Sequence, residues 1–345
     1  MKIGNKTLGE KPYVIAEAGV NHGNDLEMAK VLVKAAAEAG ADAIKFQTYT
    51  ADELVCKGTP KFWNYAGDRD KLTQHDAYEA IGGFPYEHYP YLMGYGESLG
   101  IEVLSTPFSF EAADRLNEMG MKAFKIASSD MSHLPFLRHV ARFGKPILLS
   151  TGASDMEEIH ESVEAILQEG NDQIVVMHCT LSYPTEGKDA NLNIIRSLQK
   201  AFKDLVIGLS DHTLGLAAPA IAASLGAKVF EKHFTIDKTL TNTADHWLSV
   251  DPHELKQMVE IVNNAQEMLG SLKRVVFECE TNTRRYDKRS ICSKVSITKG
   301  TVITEDMITY KRPGTGMWPK YRDFVVGNVA KKNIPADTPI SFDMI

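Results

Sequence analysis

Short β-rich runs alternate with longer stretches of helical spacing eight times across roughly the first 270 residues. This alternation limits the fold more than any other feature, because strand–helix repeats demand a parallel sheet covered by helices. The runs are 13–19 (YVIAEAG), 42–47 (DAIKFQ), 101–106 (IEVLST), 123–128 (AFKIAS), 146–151 (PILLST), 173–179 (QIVVMHC), 205–212 (LVIGLSDH) and 228–234 (KVFEKHF). They are almost continuously apolar before their last residues, as strands buried on both faces are. Between them, 26–40 repeats apolar residues at helical spacing and stops at Gly40. The stretch 154–170 starts at Ser154, carries acids in its first turn and ends at Gly170. Eight such units predict an α/β chain folded as a (β/α)₈ barrel. An open doubly wound sheet is the alternative. It usually has fewer strands, and the Gly-x-Gly-x-x-Gly fingerprint is absent here.

Two stretches break the rhythm. Residues 51–86 follow the second strand and read as a long loop on the strand C-terminal side, with Phe62, Trp63 and Tyr65 as lid or shielding residues. Residues 276–289 read as a charged linker. From 290 to 345, short β-branched runs are separated by Lys-Gly, Pro-Gly and Pro-Ala-Asp turns. The expected organisation is a barrel at 1–275, a linker at 276–289 and a small β-rich domain at 290–345.

Composition narrows the function. With 38 basic against 45 acidic residues the net charge is −7, which argues against a general binder of nucleic acid or anionic membranes. No apolar run reaches the ~18 residues needed to span a bilayer, and the N-terminus lacks a signal-peptide layout. The four cysteines, Cys56, Cys179, Cys279 and Cys292, form no C-x-x-C pair. A reduced, cytoplasmic protein is expected. Cys179 follows an apolar run and reads as a buried strand residue rather than a nucleophile.

Nearly every expected strand ends in a residue of catalytic type: Glu17, Lys45 and Gln47, Thr106, Lys125 and Ser128, Ser150, His178 and Tyr183, Ser210 to His212, Glu231 and His233. In a parallel barrel these ends converge on one face. Lys45 and Lys125 with Thr106, Ser128, Ser150 and Ser210 suit a phosphate or carboxylate ligand. The small residues of STGAS (150–154) suggest an anion site at a helix start, and a lysine Schiff base is the competing reading. His212 and His233 end consecutive strands about 4.8 Å apart, so both can reach one octahedral Mn²⁺, Mg²⁺ or Co²⁺. Asp245 and His246 are conceivable further ligands. Glu17 and Glu231 are candidate acid–base groups or ion-pair partners of Lys45 or Lys232. His22 reads as structural.

The ordered segments IAEAGVNHGND, DAIKFQTY, LSTPFS, AFKIASSD, PILLSTGAS, HCTLSYPT, GLSDHTLG, EKHFTID and KRPGTG resemble the sialic acid synthase family. The resemblance covers essentially the whole chain, including that family's C-terminal antifreeze-like (β-clip) domain. It implies condensation of phosphoenolpyruvate with an open-chain N-acyl hexosamine such as N-acetylmannosamine, with phosphate released by C–O cleavage. It further implies that Lys45, Thr106, Lys125, Ser128, Ser150 and Ser210 hold phosphoenolpyruvate and that His212 and His233 hold Mn²⁺. Glu17, Gln47, Tyr183, Glu231 and Asp245 would face the sugar or the attacking water. Arg312 would reach the sugar across a domain-swapped homodimer.

Two departures concern the sugar. Leu181 stands where family members usually carry a polar residue, and 57–85 reads differently. A 2,4-diacetamido-6-deoxy acceptor, giving a legionaminic- or pseudaminic-type acid, is therefore the alternative. A condensing barrel for sugar phosphates would need a second basic cluster, which the strand ends lack. A non-catalytic carbohydrate-binding protein on the same fold is the reading from another class.

Overall fold

A computed structural model describes residues 1–61, 63, 73–243 and 245–345. An antiparallel pair, β1 (Lys2–Ile3) and β2 (Lys6–Thr7), precedes the barrel. The barrel strands are β3 (Tyr13–Gly19), β4 (Ala43–Thr48), β5 (Glu102–Pro107), β6 (Phe124–Ile126), β7 (Ile147–Ser150), β8 (Ile174–Cys179), β9 (Val206–Asp211) and β10 (Val229–His233). All eight are parallel in sequence order, and β10 closes on β3. Ile15, Ile44, Leu104, Leu148, Val176 and Phe230 are wholly shielded. That double-sided burial is why the runs lack polar alternation. The run at 123–128 shortens to three strand residues, because Ser128–Asp130 turn into a 3₁₀ helix.

Helices cover the strands, and two further helices lie within 51–86, which the sequence reads as a loop. The first is α1 (Leu26–Glu38), which buries Ala29, Leu32, Val33 and Ala36 and ends before Gly40 in a left-handed turn. The break after β4 carries α2 (Ala51–Leu54) and α3 (Gln74–Ile81), capped by Thr50 and Thr73. His75 Nε2 lies 2.9 Å from Asp52 Oδ1 and ties the two helices together. Phe62 and Tyr65 fall outside the described residues. Then come α4 (His88–Leu99), α5 (Phe110–Glu118), α6 (Leu134–Ala141), α7 (Met156–Leu167), α8 (Ile194–Ala201), α9 (Ala217–Ser224) and α10 (Pro252–Leu269). Among the described residues no helix is long and apolar enough to cross a membrane.

The chain divides into two compact units, 1–270 and 271–345. In the second unit β11 (Ser290–Ser293) pairs antiparallel with β12 (Ile308–Lys311) over a core including Ile291, Ile303, Ile334 and Ile340. The stretch 276–289 carries a short helix, α11 (Thr281–Tyr286). The Gly314 amide donates to the Arg285 carbonyl at its end (2.8 Å).

Candidate active site

Parallel register sets the floor of the site. Glu17 stands opposite Lys45 on one side and His233 on the other. Ser210 stands opposite Cys179 and Glu231. Period-two alternation turns these side chains to one side of the wall. Lys45 Nζ lies 2.5 Å from Glu17 Oε2 and 3.7 Å from Glu231 Oε2, and donates to Thr106 Oγ1 at 2.8 Å. Lys125 Nζ is 3.6 Å from Glu231 Oε1 and donates to the Ile126 carbonyl. Gln47 Nε2 donates to Glu17 Oε1 (3.0 Å), and Ser210 Oγ donates to Glu231 Oε1 (3.0 Å).

Two lysines and two carboxylates are thus sealed in one layer, none more than 5 % exposed. Burial penalises each charge, so the neighbours decide its state. Burial raises Glu17, and the charge of Glu231 adds to this against the opposing pull of Lys45. Burial also pushes Glu231 up, but Lys125 and Lys45 outweigh it and its carboxyl ends below the usual range. Lys125 is lowered by burial despite Glu231. These carboxylates are ion-pair partners of Lys45 and Lys125. Lys232 pairs elsewhere, with Asp211.

The hydroxyls expected to bind an anion lie around this layer. Ser150 Oγ is buried without a hydrogen-bond partner. Ser128 Oγ accepts from the Gly152 amide at 2.9 Å. A Cβ on Gly152 would fall 2.8 Å from that oxygen and 3.1 Å from the Leu181 amide, so only glycine lets this turn approach. The helix start after STGAS does not contribute as expected. Asp155 caps α7, accepting from the Glu157 and Glu158 amides in a full capping box. Its first donors are therefore already occupied.

His212 and His233 meet beside this floor, with ring centroids 5.4 Å apart. His212 Nδ1 lies 2.9 Å from the Thr180 carbonyl, which only accepts, so this nitrogen carries the proton and Nε2 keeps a lone pair. His233 Nδ1 is buried without a hydrogen bond and lies 3.6 Å from Asp245 Oδ2. Among the described residues no three His, Cys, Asp or Glu side chains converge for a metal. The donor set fits a cation held by two imidazoles and completed by water and substrate. His246 is not available: its nitrogens face Thr235 Oγ1 (2.7 Å) and Asn242 Oδ1 (3.0 Å). His178 is likewise occupied, its Nε2 facing the Ala190 carbonyl at 2.7 Å.

Glu17, Lys45, Lys125, Glu231, His212 and His233 border a cavity of about 380 Å³ at the strand C-terminal ends. Gln47, Tyr183, Cys179 and Asp245 also line it. The Tyr183 ring lies 4.1 Å from that of His212. Asp245 is pushed up to about 6 by burial, with His212 opposing. The outer wall is apolar and aromatic: Tyr49, Leu54, Trp63, Tyr78, Phe108 and Leu181 line it. Tyr78 packs edge-on against Tyr49 (5.5 Å) and Trp63 (5.8 Å). The strand-end pattern did not single out Tyr49, Tyr78, Phe108, Asn242 or Thr243, since all lie beyond strand ends or on α3. Arg312 belongs to the second unit, where it pairs with Asp287 at 2.5 Å.

A closed (β/α)₈ barrel with a shielded layer of lysines, carboxylates and hydroxyls at its strand ends has the architecture in which barrel enzymes place their active sites. The chain belongs to the NeuB family, whose model matches residues 32–274, and a SAF domain matches 288–345. It is 38% identical to N,N'-diacetyllegionaminic acid synthase from Legionella pneumophila, covering 96% of this chain and 94% of that one. It is 37% identical to pseudaminic acid synthase from Campylobacter jejuni, covering 97% and 96%. A crystal structure of N-acetylneuraminic acid (sialic acid) synthetase from Leptospira borgpetersenii aligns with a TM-score of 0.73 at 30% identity, covering 82% of this chain and 94% of that one.

Proposed function

We propose that this enzyme condenses phosphoenolpyruvate with the open-chain aldehyde of an N-acyl hexosamine. The product is a nine-carbon 3-deoxy-2-keto acid of the sialic type. The observation that carries this reading is the buried layer of Glu17, Lys45, Lys125 and Glu231. Without a ligand its two positive and two negative charges offset one another. A phosphoenolpyruvate anion gains Lys45, Lys125 and the hydroxyls of Thr106, Ser128, Ser150 and Ser210. The raised Glu17 carboxyl can hold a proton as that negative charge enters.

C3 of phosphoenolpyruvate then bonds to the aldehyde carbon, whose oxygen takes up the proton held by Glu17, leaving that carboxylate ionised. Positive charge develops at C2, where Glu17 and Glu231 stabilise it. Water adds to C2 and gives a proton to a carboxylate, with Glu17 as the acceptor in its ionised form. The C2–O bond to phosphate breaks, leaving a keto acid and phosphate. His212 and His233 would hold a divalent cation, Mn²⁺ by preference with Mg²⁺ or Co²⁺ as alternatives, which would supply Lewis-acid polarisation of the aldehyde. Tyr183, Gln47 and Asp245 orient the acceptor. The reading includes a cytoplasmic homodimer in which Arg312 of one protomer reaches the partner's acceptor. Four free cysteines support the reduced compartment of that reading.

The apolar wall of Tyr49, Tyr78, Phe108 and Leu181 favours a second reading of the acceptor. Its surface suits the methyl groups of a diacetamido-6-deoxy sugar better than the hydroxyls of N-acetylmannosamine. Phosphate release from phosphoenolpyruvate, with Mn²⁺ and a panel of N-acyl hexosamines, tests both readings. Release with any of these sugars is expected, with a product whose mass is that of the two substrates plus one water less phosphoric acid. No release, with no rise in melting temperature from phosphoenolpyruvate or Mn²⁺, would favour a non-catalytic protein.

A further inference from the structure

Asn21 lies two residues beyond β3 and is 1 % exposed, yet it does not line the cavity. Its amide instead reaches the loop that follows β10. Nδ2 donates to the Phe234 carbonyl at 3.0 Å and to Ser249 Oγ at 3.2 Å. Oδ1 accepts from Thr243 Oγ1 at 2.6 Å. The Ser249 hydroxyl in turn donates to the Asp245 carbonyl at 2.6 Å. One side chain therefore grips both ends of the loop, and it holds Asp245 from before and behind. The β3 turn and this loop also touch closely, since a Cβ on Gly23 would fall 2.6 Å from Asn242 Nδ2.

The loop carries Asn242, Thr243 and Asp245 to the cavity wall on the His233 side. None of these three hydrogen bonds goes to Lys45, Lys125 or the hydroxyls around them. We propose that Asn21 is a positioning residue for the acceptor end of the site: it preorganises residues 234–243 and 245–249 and so fixes Asp245. The proposal rests on the reading that the aldehyde acceptor binds at that end. Ordering a loop in advance removes an entropy term from each binding event.

The test compares Asn21→Ala with the intact enzyme by hydrogen exchange and by separate KM values for the two substrates. Ser249→Ala is the gentler second variant, because it removes only the hydroxyl linking Asn21 to the Asp245 carbonyl. The expected result is faster exchange across 235–249 with the barrel strands unchanged. Acceptor KM rises roughly tenfold or more, as loss of buried hydrogen bonds implies, while phosphoenolpyruvate KM stays within about twofold. Ser249→Ala moves the same quantities in the same direction by less, and it decides the matter alone if Asn21→Ala does not fold. Unchanged exchange in 235–249, or a parallel rise in both KM values, overturns the proposal. If the intact enzyme turns over no acceptor, the proposed function fails, and the exchange result still decides whether Asn21 holds the loop.

Discussion

Lys232 Nζ lies 2.5 Å from Asp211 Oδ2 and 2.6 Å from the Thr213 carbonyl, both charges 2 % exposed or less. The two residues are register partners on β10 and β9, and each immediately precedes one of the paired histidines. By alternation the ion pair sits on the side of the barrel wall opposite Glu231 and His233. It thereby locks the relative height of the two strand ends that carry the imidazoles. Lys232→Met should cost about 3–5 kcal/mol, because Asp211 is left buried without a counter-charge. Adding Asp211→Asn should recover much of that stability. Mn²⁺ affinity, read by titration calorimetry, should stay depressed by roughly 10- to 100-fold in the double variant, since the supporting shell is lost. Full recovery of metal binding would show that the pair serves stability alone.

Lys125 separates the anion pocket from a Schiff base. Its amine is lowered by burial, as an imine-forming lysine needs, but it lies 3.6 Å from Glu231, which favours the charged form. Borohydride reduction in the presence of phosphoenolpyruvate and acceptor should leave the enzyme active and add no mass. Lys125→Met should weaken phosphoenolpyruvate binding by roughly 30-fold or more, the scale of losing a buried charged hydrogen bond. A reduced adduct on Lys125 would replace the anion reading with imine chemistry.

The floor of the site was legible because the fold turns strand ends into neighbours. Glu17, Lys45 and His233 lie far apart in the chain, yet parallel closure of eight counted strands is enough to bring them together. What stayed hidden depends on contacts with no local signature. Asp155 uses up the α7 donors that STGAS suggests are free, through the conformation of its side chain. Asn21 meets Thr243 and Ser249 across more than 200 residues of chain, and both partners sit in irregular loop. The outer wall depends on how α3 folds back over the cavity, which periodicity in an eight-residue helix does not announce.

That wall makes the acceptor preference testable by substitution. Tyr78 packs between Tyr49 and Trp63 on the cavity lining. Tyr78→Ser removes apolar surface worth about 1–3 kcal/mol to a methyl-bearing ligand. The loss in kcat/KM should be several-fold larger for a 2,4-diacetamido-6-deoxy sugar than for N-acetylmannosamine, measured side by side. Equal losses would mean that the wall shields the reaction without choosing its substrate.

His22 provides a pH signature away from the reacting groups. It is 1 % exposed, its Nδ1 accepts from the Asn24 amide at 3.0 Å, and it packs against the rings of Phe84 and Phe46. A proton on Nδ1 would break that hydrogen bond and place a charge among aromatic rings. Burial accordingly lowers the imidazole to about 4, with His88 adding to the effect. The unfolded chain binds this proton near pH 6.5, so between 6.5 and 4 it holds a proton the folded chain refuses. Stability from this group is complete above pH 6.5 and falls as pH drops, by about 3 kcal/mol at pH 4. Denaturant titrations of the intact protein and of His22→Asn across pH 7 to 4 measure it. The variant should be less stable at neutral pH and should lose less on acidification, so that the two curves converge. Parallel curves would mean that His22 is protonated in the folded state at the ordinary pH, contrary to its burial.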